Sequence, residues 1–106
     1  MPKYLLEVSY TLDGVKSVHA KGGSVRQAAA TAAAKSVGGS VDCFYFAFGK
    51  NDVYTVVDLP DNEAAAALAL AVTAGGGAAV RTVVLLTPEE IDAATKKKVD
   101  YTPPTA

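Results

Sequence analysis

Apolar and polar positions alternate from Tyr4 to Tyr10, in a stretch rich in strand formers, which predicts a first strand ending where Thr11, Asp13 and Gly14 supply turn chemistry. A short irregular helix is expected over Val15 to Lys21. Gly22 and Gly23 break the chain there, and Ser24 followed by Gln27 reads as a capping box heading a helix to about Val37. Gly38 and Gly39 end that helix. Val41 to Phe48 and Asp52 to Asp58 read as two apolar strands, joined by the four-residue turn Gly49, Lys50, Asn51 and Asp52. Pro60, Asp61 and Asn62 open a helix from about Glu63 to Ala74, which three glycines terminate. Ala78 to Leu86 is a β-branched fourth strand. Thr87, Pro88 and Glu90 stand in cap, N1 and N3 order for a last helix to about Lys98, with Lys96, Lys97 and Lys98 as a solvated run at its negative end.

The order is βαββαβ plus a terminal helix, an α+β, ferredoxin-like sandwich with a four-stranded antiparallel sheet. Right-handed crossovers put both long helices on one face and leave the other bare. If Gly49 pairs with Asp52, Phe48 faces Val53 and Phe46 faces Thr55. Phe44, Phe46, Phe48, Val53, Thr55 and Val57 then share one side with Leu6, Val8, Val80, Thr82 and Val84. That drier side is assigned to the alanine-rich helices, large sheet residues and small helix residues filling the space between layers. Leu5, Glu7, Ser9, Cys43, Tyr45, Ala47, Tyr54, Val56, Asp58, Arg81, Val83 and Leu85 remain for the bare face. A patch of that kind is larger than soluble monomers usually expose, so pairing of two sheets into a dimeric α+β barrel is the expected solution.

Length and composition narrow the class. The 106 residues, half apolar and a fifth charged, make one domain over 1–98, with 99–106 as a tail that is loose or lies on a neighbouring subunit. A core of this size buries roughly 65% of the unfolded surface and needs no staple. The single Cys43 forms no internal bridge, so a reducing cytoplasm is the default setting. The N-terminus lacks a signal-peptide pattern and the apolar runs are too short to span a bilayer. A net charge of −1 argues against nucleic acid as a partner, since phosphate neutralisation needs a basic face. Membrane partners are not expected either.

YLLEVSYT with Gly14, GGSVRQAA, FYFAFGKNDV, VDLPD and LLTPEEID together resemble the GYD-domain family, small bacterial and archaeal proteins related to the dimeric α+β barrels. The resemblance covers about Tyr4 to Ala94. Its naming motif places a glycine, a tyrosine and an aspartate in the hairpin turn; Gly49 and Asp52 match, and Asn51 stands where tyrosine is usual. The resemblance implies a cytoplasmic homo-oligomer, in a superfamily that holds cofactor-free monooxygenases, haem enzymes, isomerases and ligand-binding modules alike.

Candidate chemistry is sparse. His19 is the only histidine; it is a candidate base over a cavity mouth, against the plain alternative of a solvated surface residue. Glu7, Ser9, Tyr45, Tyr54, Asp58 and Arg81 are the ligand or interface candidates, with His19, Arg81 and Asp58 as weak catalytic ones. The plainer alternative pairs Arg81 with Glu7 or Asp58 and lets the tyrosines bridge subunits. Asp58 also has a second plain role, tying down the free amides of the next helix. Tyr10 and Asp52 are assigned turn or interface roles, and Cys43 reads as an inert apolar residue. No metal set or cofactor is expected. Two functions follow: a homo-oligomeric ligand-binding or assembly module that partners itself and a small molecule, or a cofactor-independent enzyme acting on a small aromatic or carbonyl compound. The enzyme reading requires a water-accessible cavity holding at least two of Glu7, Tyr45, Tyr54, Asp58 and Arg81.

Overall fold

The computed structural model describes residues 1–104; Thr105 and Ala106, the end of the expected tail, lie outside the described residues. Its elements are β1 (Lys3–Tyr10), α1 (Leu12–Lys21), α2 (Gly23–Ser36), β2 (Ser40–Phe46), β3 (Val53–Asp58), α3 (Asn62–Ala74), β4 (Ala78–Leu85) and α4 (Pro88–Thr95). The strands form one antiparallel sheet in the order β2-β3-β1-β4. This is the ferredoxin-like α+β arrangement that the alternating elements predict.

Helix starts differ from expectation in two places. Thr11 is the N-cap of α1, its hydroxyl accepting from the Gly14 amide at 3.3 Å, so Thr11 to Gly14 begin a regular helix instead of making a turn. The Thr11 amide also donates to the Gly77 carbonyl at 3.0 Å and its hydroxyl to the Gly76 carbonyl at 2.8 Å. That tie presses α1 onto the α3–β4 connection so closely that a Cβ on Gly14 would stand 2.0 Å from the Gly77 oxygen. In α2 the Ser24–Gln27 box does not form. Gly22, at φ 87°, closes α1 and opens α2 at once, and with one residue shared between two helices Ser24 falls inside the first turn. Asp61 caps α3 through the Ala64 amide at 2.8 Å. Thr87 and Glu90 make the reciprocal box of α4, at 3.1 and 3.0 Å; the helix ends at Thr95, ahead of the lysine run.

The hairpin register is shifted by two from the expected pairing: Phe46 faces Val53, Tyr45 faces Tyr54 and Phe44 faces Thr55. Asp52 is the reason. Its amide donates to the Val8 carbonyl and its carboxylate accepts from the Tyr10 amide, both at 2.8 Å. Asn51 and Asp52 are therefore held against β1 and the connection lengthens to residues 47–52. A shift of two preserves side-chain parity, so the face assignment survives. Phe48 is the exception, fully exposed in the loop instead of packed under the helices. A bulge between Val41 and Cys43 then reverses parity, turning Val41 into the core and Asp42 outward.

The core gathers Tyr4, Leu6, Val57, Leu59, Ala65 and Leu68, with Val8, Val41 and Val80 packed against them. Tyr4 donates its hydroxyl to Asn62 Oδ1 at 2.7 Å, which lets a phenol be fully buried. Thr82 and Val84 lie on this side by register but are exposed, because β4 is an edge strand and nothing folds back over its far half. The two layers do not fill the space between them, contrary to expectation. Helix α2 lies nearest β2 and α3 nearest β4; the central strands are covered where Tyr4, Leu6 and Val57 meet Ala65 and Leu68, and the space beside that contact is left unfilled. A cavity of about 80 Å³ remains there, lined by residues that include Ala30, Ala33, Val53, Leu68 and Val72.

Helix α4 stands apart, with every residue exposed. The molecule accordingly measures 56 × 32 × 22 Å, with a radius of gyration of 16.8 Å where a compact chain of this length has about 13 Å.

Candidate functional site

The face of the sheet opposite α2 and α3 carries a row of four side chains at one level. Tyr45 pairs with Tyr54, Tyr54 with Glu7, and Glu7 with Arg81, one from each strand. Tyr45 is 68% exposed at one end of the row, and Arg81 is exposed at the other end, in the opposite edge strand. Over the middle of the row sits Asn51, buried to 4% exposure. Its Nδ2 donates to Glu7 Oε2 at 3.0 Å and to the Tyr54 hydroxyl at 3.2 Å, while its Oδ1 accepts from the Ser9 hydroxyl at 3.2 Å. Both donors and the acceptor of one amide are thus engaged, and three side chains from two strands are fixed by a loop residue.

The loop that makes these contacts lies within residues 4–95, which a sequence model of the GYD domain matches. The chain belongs to the GYD-domain family. No curated protein and no solved structure matches it. In this GYD domain Asn51 is not simply one residue of the hairpin turn, as the sequence suggests. It is the hub of a polar cluster on the open face. Gly49, the other turn-motif residue, is exposed with no neighbour near its missing side chain.

The remaining candidates separate. Among the described residues Arg81 forms no ion pair with Glu7 or Asp58, which corrects the expected pairing; the ion pairs are those of Lys3 with Asp42 and with Asp58. Glu7 is drawn instead to the Asn51 amide. Asp58 accepts from Lys3 at 2.9 and 3.1 Å and has no part in capping α3, which falls to Asp61. His19 is exposed in the last turn of α1, away from the row. Cys43 is a half-buried free thiol whose carbonyl accepts from the Thr55 hydroxyl at 2.7 Å. Tyr10 and Asp52 meet through backbone and carboxylate. Among the described residues no helix is long and apolar enough to cross a membrane.

The Lys3 cluster gives this GYD domain a defined pH response. Hydrogen bonding to Asp42, then to Asp58, raises the Lys3 ammonium above its ordinary 10.5. The same bond to Lys3, with one to Asp58, lowers Asp42 below 3.8. A depressed carboxyl contributes stability above its unfolded value and loses it as pH falls through the folded one; a raised ammonium contributes below 10.5 and loses it as pH climbs past. Lys3→Met is expected to flatten the urea midpoint below about pH 4 and above about pH 10.5, with a small effect between because the groups are solvated. A midpoint that still falls as steeply at both ends contradicts this.

One residue the sequence did not single out is Arg26, in α2. It lines the interlayer cavity and also a wider cleft of about 380 Å³ at its end, together with Tyr10, Asp13, Ser17 and the glycines 75–77. Its position in GGSVRQAA offers one signal: it is the sole cation in an otherwise neutral first turn and a half.

Proposed function

We propose that this GYD domain is a homo-oligomeric assembly module in which a second copy covers the open sheet face. The observation that carries the reading is the row of exposed Tyr45, Tyr54 and Arg81 with half-buried Glu7, which combines aromatic surface with one charge of each sign and no ion pair across it among the described residues. A two-fold contact is self-complementary, so Glu7 of one copy meets Arg81 of the other, and the reverse. Net charge near zero adds little repulsion between copies. The sheet face supplies roughly 400 Å² per copy, about half of what a stable interface needs. Helix α4 and the segments flanking it, with Leu86 and Ile91 about half exposed and Val99 and Tyr101 more so, supply surface of the kind that completes it.

No observation favours the cofactor-independent enzyme, since neither cavity described above includes Glu7, Tyr45, Tyr54, Asp58 or Arg81. Native mass spectrometry of the wild type should show dimers or larger even assemblies, and Tyr45→Asp should shift them to monomers. Because Tyr45 is already exposed, the monomeric variant is expected to keep its folded spectrum. Arg81→Glu, which turns the cross-copy pair into two repulsions, should weaken assembly more at low salt than at high. A monomeric wild type, or both variants assembling as before, rejects the proposal.

A further inference from the structure

The cleft and the interlayer cavity adjoin on shared walls and together make one candidate space. Tyr10, Arg26, Val72 and Ala78 line both. Its inner end is apolar and holds about 80 Å³. On the scale where an apolar cavity of about 150 Å³ accepts benzene, that is room for roughly three to four carbon atoms. Its outer end carries charge of both signs. Arg26 provides a guanidinium and Asp13 a carboxylate, and neither forms an ion pair among the described residues. The C-terminus of α3 faces the same cleft through Ala71, Val72 and the glycines after it, and its last turn contains no basic side chain. That helix end carries partial negative charge and favours a cation.

We infer that this space is a binding site for a small zwitterion with an aliphatic tail, an α-amino acid of about leucine's size. Its carboxylate meets Arg26, its ammonium meets Asp13 and the end of α3, and its side chain enters the gap above the central strands. A simple anion suits the mouth less well, because Asp13 and the helix end repel it. A simple cation is opposed by Arg26. An apolar tail is required in either case, because the inner walls offer little hydrogen bonding beyond the Arg26 head group and the hydroxyls of Tyr10 and Thr55. The site lies on the helix side of the sheet and is independent of how the open face is covered.

The experiment is an NMR titration of the full chain with L-leucine, isocaproate and isoamylamine, the last two being leucine without its ammonium and without its carboxylate. Leucine should move the amides of Ala33, Val53 and Val72, and each truncated probe should bind at least about tenfold more weakly, the loss of one charge-assisted contact. Arg26→Met should remove the preference for leucine over isoamylamine, and Asp13→Asn the preference over isocaproate. Ala30→Leu, which fills the inner cavity with apolar volume and leaves the charges in place, should weaken leucine and preserve the fold. No shift at millimolar leucine overturns the inference. So do shifts confined to Tyr45, Tyr54 and Val83, isocaproate binding as tightly as leucine, or charge variants that bind leucine like the wild type.

Discussion

Gly14→Ala is expected to destabilise the fold by about 3 kcal/mol, although alanine in place of glycine inside a helix ordinarily gains close to 1 kcal/mol. The reversal of sign comes from the Gly77 carbonyl, 2.0 Å from where the new methyl must sit. Both sides of that contact are backbone. Relief therefore requires α1 to move off the α3–β4 connection, which stretches the Thr11 bonds to Gly76 and Gly77. Each of those is worth about 1 kcal/mol, so losing them accounts for much of the cost. Gly75→Ala supplies the contrast. Gly75 has ordinary helical angles, and its nearest atom would be the Val72 oxygen at 3.4 Å, so alanine there should be neutral or stabilise by up to about 1 kcal/mol through the unfolded chain. Urea unfolding of the two variants beside the wild type decides the matter. Equal midpoints for all three would mean that α1 is not docked on the connection.

Asn51→Asp should cost about 3 kcal/mol, more than the roughly 2 kcal/mol expected for Asn51→Ala. The two substitutions remove the same donors, one of which serves Glu7 Oε2 at 3.0 Å and the other the Tyr54 hydroxyl. Alanine leaves Glu7, Ser9 and Tyr54 to find water at a partly open face. Aspartate, nearly the same shape, puts a second carboxylate against Glu7 in a place that buries the side chain almost completely, and like charges at hydrogen-bond distance cannot both stay ionised cheaply. Acid should recover part of the loss for aspartate and none for alanine. Lys50→Ala, one residue away and exposed, should change stability by less than about 0.5 kcal/mol. Chemical denaturation of the three variants at neutral and mildly acid pH checks the ranking. Asn51→Asp as stable as the wild type would show that the hub is not formed.

What the sequence conveyed about this fold was parity. Phe44, Phe46, Val53, Thr55 and Val57 alternate strictly, and the period of two assigns them to one face whatever the exact register. The register itself was hidden, because it depends on Asp52 reaching the Val8 carbonyl and the Tyr10 amide across the sheet, and local turn chemistry in GKND gives no hint of a long-range bond. Asn51 was misread for the same cause: a residue that suits a turn tip equally suits a buried amide with three partners. The site candidates Glu7, Ser9 and Tyr54 were legible as sheet-face polar residues. Their assembly around Asn51 was not. The alanine-rich helices were legible as thin, but whether thin helices close on the sheet or leave a gap depends on where they sit across it. With α2 nearest one edge and α3 nearest the other, they leave a cavity beside the packed core, and no motif announces that Arg26 lines it. The capping of α4 was plain because Thr87 and Glu90 act within one turn of their own position, whereas for α3 the sequence offered Asp58 as the residue holding the free amides and the structure gives that place to Asp61.

The bulge at Asp42 separates the two borders of the sheet in their exposure to strand addition. β2 is one border, and its hydrogen-bonding row is interrupted where Val41 and Cys43 fall out of step, with a charged residue at the break. Such an edge is a poor template for another chain. β4, the other border, reads AAVRTVVL without a bulge, and its single charge is Arg81. An arginine in the middle of a β-branched edge, with no ion pair among the described residues of its own chain, acts as a gatekeeper against edge-to-edge growth. Arg81 thereby does for β4 what irregular backbone does for β2, and a neutral residue in its place would leave one border of the sheet open to cross-β stacking.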